Sequence, residues 1–73
     1  MKKYRLYDLY DYFGLTISKE NRIGEYNTRE EATQAASLYD KECDGECDIY
    51  ICKYNPEAKK FLAIDAEPLN YGG

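Results

Sequence analysis

The segment from Thr28 to Gly45 constrains the fold most, because it alone carries the signals of an amphipathic helix from start to stop. Thr28 followed by Glu31 is a capping box: the hydroxyl takes the amide three residues on, and the carboxylate reaches back. Glu30 and Glu31 sit at the positive end of the helix dipole. Ala32, Ala35, Ala36, Tyr39 and Cys43 recur on one face, with Glu30, Gln34, Ser37 and Lys41 opposite. A helix is therefore expected from Arg29 to Glu42, with Gly45 as a natural stop. A face of alanines lets such a helix lie close on a sheet.

The flanking segments read as strands. From Cys47 to Tyr54, Ile49 and Ile51 point one way, and Asp48, Tyr50, Cys52 and Tyr54 the other. Asn55-Pro56-Glu57 is a turn, since proline suits the second turn position. A strand from Lys60 to Ala66 then closes a hairpin through Phe61, Leu62 and Ile64. Before the helix, Lys3 to Tyr10 is read as a strand by composition, although Leu6, Leu9, Tyr10 and Phe13 also fit one helical face. Gly14 is a break, and Leu15 to Ser18 resumes strand character. Lys19 to Arg22 is a polar turn, and Ile23 to Tyr26 leads extended into the helix. The order is ββαββ, with room for one extra short strand. The expected fold is α+β, a four-stranded antiparallel sheet with one helix packed on one face.

A chain of 73 residues holds one domain, expected over residues 1–67, with 68–73 as a loose tail after Pro68. So short a chain buries only roughly 60% of the surface its unfolded form exposes. Nine tyrosines supply most of its aromatic bulk. Each has an apolar body and a polar tip, which suits half-buried sheet faces and binding surfaces alike. The longest clean apolar run, Phe61 to Ile64, is far short of the ~20 residues a spanning helix needs. Met1-Lys2-Lys3 is basic, but Asp8 and Asp11 interrupt the next stretch, against a secretory signal. The expected place is the cytoplasm. Cys43, Cys47 and Cys52 are an odd number without an export signal, so reduced thiols are expected and a disulfide framework is not.

Charge is concentrated. Asp40 to Asp48 holds five acids and one base, a net of −4, which equals the net charge of the whole chain. A nucleic-acid-binding chain shows the opposite sign, so direct DNA or RNA binding is not expected.

The same segment invites metal readings. Cys43, Cys47 and Cys52, with Asp44 or Asp48, make three thiolates and one carboxylate, but zinc sites pair their cysteines and use four soft ligands. Asp40, Glu42, Asp44, Gly45, Glu46 and Asp48 imitate the first nine positions of an EF-hand loop. Ile51 stands where that loop needs a bidentate glutamate. No metal and no cofactor is expected. With no histidine, neither a Ser-His nor a Cys-His nucleophile can be built, and no glycine loop cradles phosphate. The chain is not expected to be an enzyme.

Closely spaced carboxylates resemble a phosphate backbone electrostatically and fit a basic groove on another protein. The candidate partner-binding residues are Asp40, Glu42, Asp44, Glu46 and Asp48, with Tyr50 and Tyr54 as aromatic anchors. Against this stands the plainer reading, a charged helix end that keeps a small protein soluble. A tyrosine-rich sheet edge would also allow two copies to pair.

The run Arg22-Ile23-Gly24-Glu25-Tyr26-Asn27-Thr28-Arg29-Glu30-Glu31-Ala32, with the alanine-rich helix after it, resembles small phage and prophage open reading frames. The likeness spans roughly residues 20–65. Some proteins of that kind are anti-defence inhibitors, among them anti-CRISPR proteins that occlude the nucleic-acid site of a host nuclease. The resemblance implies a phage-type inhibitor or regulator acting on a protein in the host cytoplasm, and it carries no site residue across. The ending Leu69-Asn70-Tyr71-Gly72-Gly73 is similar to that of ubiquitin-like and sulfur-carrier β-grasp proteins. That likeness implies an alternative, a carrier whose terminal carboxylate is adenylated.

Overall fold

A computed structural model describes residues 2–9, 17–44 and 47–69. Four strands, β1 (Tyr4–Asp8), β2 (Arg22–Tyr26), β3 (Ile49–Asn55) and β4 (Lys60–Pro68), form one antiparallel sheet in the order β2-β1-β3-β4. The one α-helix among the described residues, α1 (Arg29–Glu42), connects β2 at the edge to β3 in the centre and packs on one sheet face. The α+β architecture is the one expected. No helix among the described residues is long and apolar enough to cross a membrane.

The helix forms where its signals stand. Thr28 is extended, and its hydroxyl oxygen accepts the Glu31 amide at 3.1 Å, satisfying one of the free N–H groups of the first turn. Ala32 and Ala36 are fully buried and meet Leu6, Ile49 and Ile51, with Tyr4, Ile23, Tyr26 and Tyr39 around them. Gly24 also serves this face. A Cβ there would lie 2.6 Å from the Tyr26 hydroxyl, so glycine lets that ring fold back along its own strand.

The opposite sheet face has its own apolar cluster of Tyr7, Leu9, Cys52 and Ala66, flanked by Ile17, Tyr50 and Phe61. Alternation along β3 divides the two sets, as its sequence predicts: Ile49 and Ile51 face α1, and Tyr50 and Cys52 face away.

Several boundaries differ from expectation. The partner of β1 in the first hairpin is Arg22–Tyr26, not a strand at Leu15 to Ser18; Ile17 and Ser18 are not in a strand, and Leu15 and Thr16 lie outside the described residues. The expected polar turn is one turn of 3-10 helix, Lys19–Asn21. Asn21 is buried, and its side-chain oxygen accepts the Ser18 amide at 2.9 Å, which fixes the entry into β2. β4 runs through Pro68, which sits on an edge strand where its missing N–H is harmless. Leu69 follows, its amide donating to Ile49 at 2.9 Å. The edge strands hold one tyrosine, Tyr26; Tyr4, Tyr7, Tyr50 and Tyr54 are on the two central strands. Gly45, Glu46 and Gly72-Gly73, with the expectations attached to them, lie outside the described residues.

Candidate functional site

The acidic segment begins in the last turn of α1 and ends at the start of β3. Asp40 is half-buried, and Glu42, Asp44 and Asp48 are exposed. Cys43 caps the helix, and Asp44 takes the left-handed conformation at φ 57°. Aspartate tolerates that region better than most residues, because its short polar side chain bonds locally. The Cys43 amide donates to the Tyr39 carbonyl at 3.0 Å and the Asp44 amide to Lys41 at 3.2 Å, which closes the helix end.

The cysteines correct an expectation. Cys43 and Cys47 form a disulfide, with their Cα atoms 5.8 Å apart. The tight return from the helix into β3 brings the two residues within bridging distance. The bond removes two of the three thiolates that a zinc site would need. It also stands against the expectation of reduced thiols, since the cytoplasm keeps most such pairs open. Cys52 remains free, fully buried, its thiol 3.2 Å from the Leu62 carbonyl. Burial first, and the Asp65 carboxylate second, push its pKa up to about 11. Among the described residues no group of three His, Cys, Asp or Glu side chains is placed to hold a metal ion.

One acid joins the cluster that its position in the sequence did not reveal. Asp8 ends β1 opposite Ile49, and its carboxylate accepts the Asp48 amide at 3.4 Å. The Leu9 amide returns the bond to the Asp48 carbonyl at 2.8 Å. The antiparallel pairing of β1 with β3 is what makes these neighbours, and neither segment signals it alone.

The two tyrosines are not beside the helix end. Tyr50 is half-buried against the cluster on the face away from α1. Tyr54 lies four residues further along β3, about 13 Å at the usual strand rise. There it meets Phe61 edge-on, with centroids 5.5 Å apart and planes at 72°. Asp40, Glu42 and Asp44 lie in the last turn of α1 and just past its cap, and Asp48 meets Asp8 across the β1–β3 pairing. Tyr50 packs on the sheet face away from α1, and Tyr54 lies toward the other end of the sheet.

That other end is basic. The Arg5 guanidinium lies 4.0 Å over the Phe61 ring, and its Nε donates to the Glu25 carboxylate at 2.9 Å. Arg22 approaches the same carboxylate at 3.7 Å. The hydrogen bond from Arg5 holds the Glu25 carboxyl below its ordinary value, with the positive charges nearby adding to it. Burial works against the Arg5 charge, but the hydrogen bonds to Tyr7 and Glu25 outweigh it and raise its pKa. Set against protein-family models, curated proteins and solved structures, the chain matches none.

Proposed function

We propose that this chain is a non-enzymatic protein-binding module whose acidic end occupies a basic, nucleic-acid-binding site on a partner, as a phage-type inhibitor or regulator does. One observation carries the reading. Asp40, Glu42 and Asp44 stand at the negative end of α1, where carboxylates oppose the helix dipole. Each such charge is unfavourable to the helix by roughly 0.3–1 kcal/mol. Solubility needs no charge in that place; a surface for a cationic partner does. Asp8 and Asp48 extend the same negative end across the sheet.

The anchoring is local. The Cys43–Cys47 bond ties the helix end to the start of β3, and the Asp8–Asp48 and Leu9–Asp48 bonds tie Asp48 to β1.

The test is capture from the native host on the immobilised chain, followed by elution with heparin. A captured protein should bind nucleic acid by itself, and heparin should release it. The variant Glu42→Lys/Asp44→Lys/Glu46→Lys should keep its fold by circular dichroism and lose the partner. Equal capture by that variant would overturn the proposal.

A further inference from the structure

A net charge of −4 hides one surface of the sheet that is bordered mostly by cations. On the face away from α1, two shallow grooves run side by side and share Arg5 and Phe61. The first, about 390 Å³, is bordered by the cations Lys2, Arg5, Lys59 and Lys60, with the rings of Tyr54 and Phe61 between them. The second, about 300 Å³, adds Tyr7, Lys19 and Arg22. Six cations thus border one track, and Glu25 is the single carboxylate among its lining residues.

Local contacts fix the centre of this track. Arg5 is pinned by Glu25 at 2.9 Å, by the Tyr7 hydroxyl at 3.4 Å and by the Phe61 ring beneath it. A planar cation fixed on an aromatic ring is a stacking layer as well as a charge. Tyr54 sets a second ring beside it. The β3–β4 turn then brings up two more cations. Asn55 accepts the Glu57 and Ala58 amides, each at 3.0 Å, and Lys59 adopts a left-handed conformation at φ 58° before Lys60 opens β4. Lys2, Lys59 and Lys60 are all exposed.

We propose that this face binds short single-stranded nucleic acid, with phosphates along the lysines and bases stacked on the Arg5–Phe61 layer and on Tyr54. A track of cations alone would suit any polyanion. Rings interleaved with them favour a ligand that alternates flat groups with charges, which an acidic peptide does not. The inference goes beyond the protein-binding reading and uses other residues. It also departs from the expectation drawn from the net charge, because a sum over the chain averages surfaces that a ligand meets separately.

The experiment titrates the full chain into a fluorescein-labelled oligothymidylate of about 12 nucleotides, within the span such sites cover. Fluorescence anisotropy should report saturable binding. With three to four phosphates contacted, raising salt from about 50 to 200 mM should weaken it roughly 20- to 50-fold. Lys2→Glu/Lys60→Glu, both at exposed positions, should weaken it at least about tenfold. Tyr54→Ala should weaken it about 5- to 100-fold while leaving affinity for inorganic polyphosphate unchanged. Tyr54→Phe keeps the ring and should bind as the parent does, which separates lost stacking from lost folding. Glu42→Lys/Asp44→Lys/Glu46→Lys should still bind the oligonucleotide, so either reading can fail without the other. The inference is overturned if anisotropy stays flat to about 1 mM protein. Displacement by polyglutamate at equal charge would overturn it too, as would a Tyr54→Ala variant that binds the oligonucleotide like the parent.

Discussion

Cys52 shows how one residue's chemistry is set by its neighbours. In sequence it is a third thiol beside two others, and its alternation with Ile51 places it on the face away from α1. The structure adds that it has no access to solvent, and that burial raises its pKa to about 11. The thiolate is the reactive form, so at neutral pH almost none is present. The expected outcome is slow alkylation by iodoacetamide in the folded chain and fast alkylation in denaturant, with Cys43 and Cys47 protected by their bond. Rapid native labelling of Cys52, read by peptide mass, would contradict this account. At the same scale, the strand alternation that sends Ile49 and Ile51 to the helix already implied that Tyr50 and Tyr54 face away from it. Of the acids grouped with those tyrosines, Asp48 shares their side of the strand, but Asp40 and Glu42 belong to α1 on the opposite sheet face. Asp8 was illegible for another reason: its relation to Asp48 exists only through strand pairing across 40 residues.

Among the elements, α1 was the most legible, because its signals are local: a cap and a face of small residues. The expected bounds, Arg29 to Glu42, are the observed ones. The strands were legible in number more than in extent. Which segment pairs with β1 depends on energies of the whole sheet, so Leu15 to Ser18 and Ile23 to Tyr26 competed on composition alone. β4 illustrates the limit. Cys52 pairs with Ala66 and Tyr54 with Phe61, so β4 spends five residues where β3 spends two, and the excess turns Ile64 outward to 84% exposure. Such a bulge leaves little mark on local propensity. The junction of α1 with β3 carries a prediction of its own. Closing so short a loop limits the unfolded chain by ~2 kcal/mol on the chain-entropy account. Reduction should therefore lower the urea midpoint by an amount matching ~2 kcal/mol, and Cys43→Ala/Cys47→Ala should behave as the reduced parent does. Reduction without any change in midpoint would show that the bond closes a loop already formed when the chain unfolds.

Over the whole molecule, the directions of β1, β3 and α1 sort charge along the strand axis. β1 runs from Lys2-Lys3 to Asp8, and β3 runs the opposite way, from Asp48 to Asn55 and the lysines of the turn. The helix lies with its negative end among the acids. Two effects then compete when salt is added. Screening weakens the surface pairs Arg5–Glu25 and Arg29–Glu67, but exposed pairs of this kind contribute little, about 0–1 kcal/mol. Screening also relieves repulsion among carboxylates crowded at the helix end, where the dipole adds to the cost. At about 20 mM salt the screening length is roughly 20 Å, long enough for every acid of that end to act on the others; by about 200 mM it falls to roughly 7 Å. Repulsion is the larger sum, so the urea midpoint should rise over this range. Glu42→Lys should start higher, by roughly 0.3–1 kcal/mol or more, and respond less. A midpoint that falls with salt would mean that the ion pairs dominate and that the acids sit where folding prefers them. Binding through the same carboxylates must run the other way, weakening as salt rises. Opposite slopes for folding and for partner capture, both flattened by the one substitution at Glu42, would separate a surface kept for contact from one kept for solubility.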